Sequence, residues 1–254
     1  MANAGRVSRR GDVVLRPSNP HSASIHTFLT ALRSSGFTGA PQPRGFEPDG
    51  RERLAFIEGD VPLPPYPSWS QSDAALESVT ALVSAFHRAS ARVDLTPASW
   101  SDELADPYGG SMVCHNDVCL ENVVFREGVA VGLLDFDFAA PGRPVHDLAQ
   151  FARMCVPIDD DLSAARLGWL EPRRPDRLRL VADTCGLGVG DRRRLLGSLD
   201  RSMQRGAEFV LRRAASGDEN FIRMLDEMGG VERYDRRRRW WETSRADFVG
   251  ALAV

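Results

Sequence analysis

Four prolines fall within the eleven residues GDVPLPPYPSW, 59–69. Each proline fixes φ and removes a backbone donor, so this stretch is neither a helix nor a central strand. It reads as a linker that divides the chain into unequal parts. Before it, VVLR (13–16) is a short strand introduced by a Gly11-Asp12 turn. HSASIHTFLTALRSSGF follows with Ile25, Phe28, Leu29 and Leu32 at helical spacing, stopped by Gly36. Around the EPDG turn (47–50), PQPRGFE and RERLAFI pair as a hairpin. After the linker a second amphipathic helix carries Leu76, Val79, Leu82, Val83 and Phe86 on one face. Short strands come next, and from about residue 145 the pattern is helical. The expected organisation is an N-terminal lobe over 1–58, a proline-rich hinge over 59–69 and a helical C-terminal lobe over 70–254. A cleft between the lobes is where a ligand is expected.

Composition excludes several functions. No apolar run reaches membrane-spanning length, and MANAGRVSRRGD lacks the apolar core of a secretory signal. The formal net charge of −3 argues against a general nucleic-acid binder. Cys114, Cys119, Cys155 and Cys185 show neither C-x-x-C spacing nor a paired His motif. Buried reduced thiols in a cytoplasmic protein fit them better than zinc or disulfides. All 32 basic side chains are arginine, so no step can use a lysine.

The chemistry concentrates in HNDVCLENVVFREGVAVGLLDFD, 115–137. NVVF (122–125) and VAVGLLDF (129–136) flank a short REG turn and are expected to pair as a hairpin. Asn122 begins the first strand and Asp135 ends the second, which returns both to one end. His115 and Asp117 sit in the loop leading in. An amide oxygen and a carboxylate at one strand end are hard ligands suited to Mg²⁺. A further carboxylate beside them can take a proton from an attacking hydroxyl. Phosphoryl transfer needs that division of labour.

His115-x-Asp117-x₄-Asn122, then Asp135-Phe136-Asp137, then His146-Asp147-Leu148-Ala149 resembles the catalytic core of the aminoglycoside phosphotransferase and choline kinase group. VVLRP, HSASIHTFL, RERLAFIEG and the YDRRRRWW ending resemble a bacterial branch of that group that includes trifolitoxin-immunity-like proteins. The resemblance implies an α+β, bilobal protein-kinase-like fold with a small, abbreviated, strand-rich N-lobe and a mainly helical C-lobe. It implies ATP (or another nucleoside triphosphate) and Mg²⁺ as cofactors and a small-molecule hydroxyl as substrate. Carried over by position, Asp117 is the catalytic base or hydroxyl-orienting residue. Asn122 and Asp135 are the Mg²⁺ ligands, and Asp137 is a second, water-mediated metal contact. His115 braces the catalytic loop, and Asp147 anchors it by accepting backbone N–H groups. Asn116 stands at the usual glycine and tolerates φ > 0 better than most residues. Arg16 falls at the phosphate-gripping lysine, and Phe56 and Ile57 at the wall of the adenine pocket.

The first lobe departs from the group's pattern. Only Gly5 precedes Gly11, so the glycine-rich loop is missing, through truncation of the lobe or a start codon upstream of Met1. The helix after Arg16 contains no acid to pair with it, and His26 lies near that place. In ERYDRRRRWWETSRADF, four consecutive arginines cover more than one helical turn. They read as a solvated face over Trp240 and Trp241, with contact to an anionic substrate as the alternative. The leading expectation is a phosphotransferase acting on a hydroxyl of an aminoglycoside-like antibiotic or a metabolite. The rival is a catalytically impaired, kinase-like binding or immunity protein.

Overall fold

The computed structural model describes residues 7–94, 98–170 and 173–253; Gly5 lies outside the described residues. The first elements are β1 (Ser8–Arg10), β2 (Val13–Arg16), α1 (Ser22–Ser34), β3 (Pro43–Phe46) and β4 (Glu52–Ala55). They form an antiparallel four-stranded sheet of order β1-β2-β4-β3 with α1 beside it. β1 has no apolar residue and is exposed throughout, which is why its sequence does not announce a strand. Gly11, at φ +64°, turns β1 into β2 in a conformation most side chains resist. The expected apolar stripe of α1 is buried at Ile25, Phe28, Leu29 and Leu32.

The proline-rich stretch is stitched to the C-terminal part of the chain. Asp60 exchanges two backbone hydrogen bonds of 2.8 Å with Phe125. Gly59 makes this approach feasible, since a Cβ there would lie 2.3 Å from the Phe125 carbonyl oxygen. Tyr66 is buried, donates its hydroxyl to Glu121 at 2.8 Å and donates its backbone N–H to the Leu167 carbonyl at 2.9 Å. The segment that joins the two parts is therefore held in one path by both backbone and side-chain bonds.

α2 (Asp73–Ser90) starts at Ser72, whose hydroxyl accepts from the Ala75 N–H at 3.1 Å. Leu76, Val79, Val83 and Phe86 are buried, and Leu82 packs at the margin of the same core. Three short elements then frame the polar loop: β5 (Met112–Cys114), β6 (Val123–Arg126) and β7 (Val129–Leu133), with β8 (Ala140–Gly142) pairing back onto β5. β6 and β7 form the expected hairpin, with Val123 opposite Leu133. The remainder is helical: α3 (Pro144–Cys155), α4 (Asp161–Arg166), α5 (Arg174–Thr184), α6 (Val189–Ala215), α7 (Glu219–Glu227) and α8 (Glu232–Leu252). α3 packs on α6, and α8 closes against α5 and α6. Phe86 is fully buried where Phe28, Phe37, His115 and Phe136 meet, so one aromatic knot joins α1, α2 and the polar loop. The fold is α+β, strand-rich in its N-terminal part and mainly helical afterwards. The four cysteines are free, three buried and Cys185 partly so. No helix among the described residues is long and apolar enough to cross a membrane.

Candidate active site

The loop before β6 is fixed from three sides. Asp147, wholly buried at the start of α3, accepts the backbone N–H of His115 at 2.9 Å and of Asn116 at 2.7 Å. His87 of α2 donates Nε2 to the same carboxylate at 2.8 Å. Burial works to raise the Asp147 pKa, but the bonds and charges of His87 and His115 outweigh it and hold the carboxyl at about 2. His87 thus supports the loop through Asp147.

His115 is held by three contacts. Its ring packs at 4.5 Å on Phe136, its Nε2 donates to the Leu134 carbonyl at 2.8 Å, and its Nδ1 accepts from the Asp117 N–H at 3.3 Å. One neutral tautomer satisfies both bonds, and burial lowers the pKa of this imidazole. Asn116 adopts φ +65°, the conformation for which a glycine is usual, and donates its amide to Phe138 at 3.0 Å.

Asp117 and Asn122 are locked together. The Asn122 amide donates to the Asp117 carbonyl at 2.9 Å and to its carboxylate at 3.2 Å. That orientation fixes which end of the amide is nitrogen and leaves Asn122 Oδ1 without a protein partner among the described residues. Burial pushes the Asp117 carboxyl up to about 8, with the charge of Asp135 adding to it and that of Arg153 opposing. The hairpin closes the set, since Leu134 N–H donates to the Asn122 carbonyl at 2.8 Å and Asp135 follows directly. Asp135 sits at φ +59°, a strained position for a residue with a side chain. Asp117, Asn122 and Asp135 therefore share one end of the hairpin, as their spacing predicts.

Arg16 reaches this end from β2. Its guanidinium donates to Asp135 at 3.1 Å and to Asp137, which also accepts from the Asn19 amide at 2.9 Å. Burial and the charge of Asp135 push the Asp137 carboxyl up to about 6, against the pull of Arg16. As expected, α1 offers Arg16 no acid, and a carboxylate comes instead from the sheet. Glu52 of β4, only 2% exposed, lies 3.8 Å from Arg16 and accepts from His26 at 3.2 Å and from the Ser22 hydroxyl at 2.5 Å. Burial raises the Glu52 pKa, but His26, Arg16 and Ser22 more than offset it. The inward alternation of ERLA was the available signal, since an acid on the buried face of a strand needs a cation.

Phe56 and Ile57 lie just past β4. Arg9 covers the Phe56 ring, with its Cζ 3.6 Å from the centroid. Ile57 packs over Gly132 of β7, where a Cβ would come within 3.0 Å of its Cδ1. Ile57 therefore borders the hairpin, whereas Phe56 stays with the first sheet, its N–H donating to the Asp12 carbonyl at 2.8 Å.

The residues fit a hard divalent cation. Asn122 offers a free amide oxygen, and the Asp135 and Asp137 side chains remain 28% and 23% exposed. The two like-charged carboxylates already attract one cation, the Arg16 guanidinium. A metal there would share or displace that contact.

Comparison with known proteins agrees with the geometry. Residues 98–181, which span the loop, the hairpin and α3, match the model of a family described as the phosphotransferase enzyme family. The trifolitoxin immunity protein of Rhizobium leguminosarum bv. trifolii is 35% identical over 187 residues, covering 71% of this chain and 70% of that protein. Among solved structures, a choline/ethanolamine kinase family protein from Mesorhizobium loti superposes with a TM-score of 0.63 at 15% identity, over 97% of this chain and 88% of the other. An amicoumacin kinase in complex with AMP-PNP, Ca²⁺ and Ami superposes with a TM-score of 0.62 at 10% identity, over 95% of this chain and 89% of the other.

Proposed function

The chain belongs to the phosphotransferase enzyme family of the aminoglycoside phosphotransferases and choline kinases, in its trifolitoxin-immunity-like branch. On that premise we propose that it transfers the γ-phosphoryl group of ATP to a hydroxyl of a small molecule. The observation that carries this reading is the pairing of Asp117 with Asn122. A carboxylate able to take a proton stands beside an amide whose oxygen is free for a metal.

In this reading the acceptor hydroxyl attacks the γ-phosphorus, the bond to the β-bridging oxygen breaks, and ADP leaves. The hydroxyl proton passes to Asp117. Asn122 and Asp135 would hold Mg²⁺, with Asp137 as a second contact, and the ion would neutralise phosphate charge. Arg16 steadies the phosphates from the other side; its fork suits phosphate oxygens, though not in the manner of a lysine. Glu52 and His26 keep that fork in place. Phe56 and Ile57 supply apolar surface to the adenine. His115 and Asp147 hold the loop and touch no substrate. The acceptor is a metabolite or an antibiotic; gentamicin and streptomycin are each found in a solved complex of one structural neighbour.

Two observations favour the rival reading, a binding or immunity protein without turnover. Arg16 already occupies Asp135 and Asp137, and the 35% identical relative is an immunity protein. Measuring ADP release from Mg·ATP across a panel of alcohols decides between them. The kinase reading expects acceptor-stimulated release that Asp117→Asn reduces by about 10²–10⁴. Nucleotide binding without stimulated release by any acceptor, unchanged by Asp117→Asn, leaves the binding reading.

A further inference from the structure

The short loop between β2 and α1 reaches the end of the hairpin through Asn19, whose side chain serves two elements at once. Asn19 Oδ1 accepts the His21 N–H at 2.7 Å, which settles the direction of the amide. Its Nδ2 is then the end that donates to Asp137 Oδ1, at 2.9 Å. The turn that presents this amide is closed by its own bonds. The Asn19 N–H donates to the Ser22 hydroxyl at 2.8 Å, and the Ser22 N–H donates back to the Asn19 carbonyl at 3.1 Å. The Ser22 hydroxyl donates in turn to the buried Glu52 at 2.5 Å. Two further contacts tie the start of α1 to the segment after α2. His21 Nδ1 lies 2.9 Å from the Ser99 hydroxyl, and the Ser99 N–H donates to the Ser24 hydroxyl at 2.8 Å.

The two acids beyond the hairpin are gripped alike. Arg16 and Asn19 both donate to Oδ1 of Asp137, and Arg16 donates to Oδ1 of Asp135 at 3.1 Å. Neither Oδ2 has a hydrogen-bond partner among the described residues, and both side chains keep part of their surface open. One oxygen of each acid is thus committed to the first lobe and the other is available. A carboxylate fixed through one oxygen needs less ordering when the other meets a cation. The two donors differ in charge. Arg16 brings a positive charge that a metal must meet across the same acid. Asn19 brings a dipole without net charge and leaves the negative charge of Asp137 for the ion. Only the amide orients the acid without competing for it.

We propose that Asn19 is a positioning residue for Asp137: by holding Oδ1 it reserves Oδ2 for the divalent cation, so the loop between β2 and α1 sets metal affinity at the end of the hairpin. The proposal rests on the metal-dependent phosphotransferase reading and adds to it a first-lobe residue that acts through Asp137.

The test titrates the full chain with Mn²⁺ by calorimetry, alone and with ADP. The proteins are the wild type, Asn19→Ser, Asn19→Ala, Asp137→Asn and the double variant Asn19→Ser/Asp137→Asn, and the Tm of each is read beside its affinity. Serine can still accept the His21 N–H but has no amide to give to Asp137, and alanine lacks both. Mn²⁺ affinity should fall about tenfold in both Asn19 variants, as for loss of a hydrogen bond behind a metal ligand. Tm should fall in Asn19→Ala and much less in Asn19→Ser. In the Asp137→Asn background Asn19→Ser should leave Mn²⁺ affinity where it was, because the acid through which it acts is gone. Three results overturn the proposal and leave the metal reading standing. They are an unchanged affinity in Asn19→Ser, a fall confined to Asn19→Ala that follows its Tm, and a fall that persists in the Asp137→Asn background. A wild type that binds no Mn²⁺, with or without ADP, removes the metal from the phosphotransferase reading and overturns the proposal with it.

Discussion

Arg16 and Glu52 stand opposite one another across the β2–β4 ladder, and the acid that balances this arginine within the first lobe comes from the sheet, not from the helix that follows it. Glu52 also collects His26 and Ser22 of α1, so a single buried carboxylate ties the sheet, the helix and the Arg16 cation together. The pairing keeps the guanidinium aimed at Asp135 and Asp137.

Replacing this carboxylate should be costly. Glu52→Gln leaves Arg16 and His26 with a neutral partner in a buried site, a loss of about 1–3 kcal/mol. Urea unfolding should show a lower midpoint with an unchanged slope. ATP affinity should fall with it, because Arg16 loses its lateral support. A variant as stable as the wild type would remove Glu52 from this role.

Arg16 should act on metal and nucleotide with opposite signs. On the proposed reading, its guanidinium competes with a cation for Asp135 and Asp137 when nucleotide is absent and faces the phosphates when ATP is bound. Arg16→Gln should therefore tighten Mn²⁺ binding in the absence of nucleotide, by roughly tenfold if one such contact is relieved. It should weaken ATP binding in the same preparation. Titration calorimetry of both ligands checks this, and loss of affinity for both would contradict the competition.

Acid stability should report the loop anchor. Asp147 is held at about 2, below the ordinary carboxylate range, so its contribution is fully present above about pH 4. It is lost as pH falls towards 2, because the unfolded chain then takes up a proton that the folded chain resists. The expected size is roughly 2 kcal/mol. Asp147→Asn should be destabilised at pH 7, and the gap to the wild type should narrow between pH 4 and pH 2. A gap that stays constant over that interval would show that the Asp147 charge is not what holds the His115–Asn116 backbone.

Much of the site was legible because its parts lie close together in the chain. Asn122 and Asp135 flank one hairpin, and Asn116 is the residue type that tolerates its φ of +65°. The apolar stripes of α1 and α2 were legible for a similar reason, since helical spacing is a local property. Glu52 was not, because its partner is set by register across β2 and β4, which no local pattern encodes. β1 was missed because three exposed polar residues give no alternation to read. Arg153 and Arg237 come from helices far apart in sequence, and only packing on α6 brings them to Ser202 and the Met203 carbonyl. The tract reading as a solvated face held for Arg238 and Arg239 and failed for Arg237, since a helix of that length must bury one side.

If Asp117, Asn122 and Asp135 form one working phosphoryl-transfer site, its output must depend on the base and on the metal ligand in different ways. Acceptor-stimulated ADP release from Mg·ATP, compared among the wild type, Asp117→Asn and Asp135→Ala, separates the two. Expected are release by the wild type, a loss of about 10²–10⁴ in kcat with nucleotide binding retained in Asp117→Asn, and loss of Mg²⁺-dependent nucleotide stabilisation in Asp135→Ala. Equal release by all three proteins, or Mg²⁺-dependent nucleotide binding that survives Asp135→Ala, would contradict a shared site.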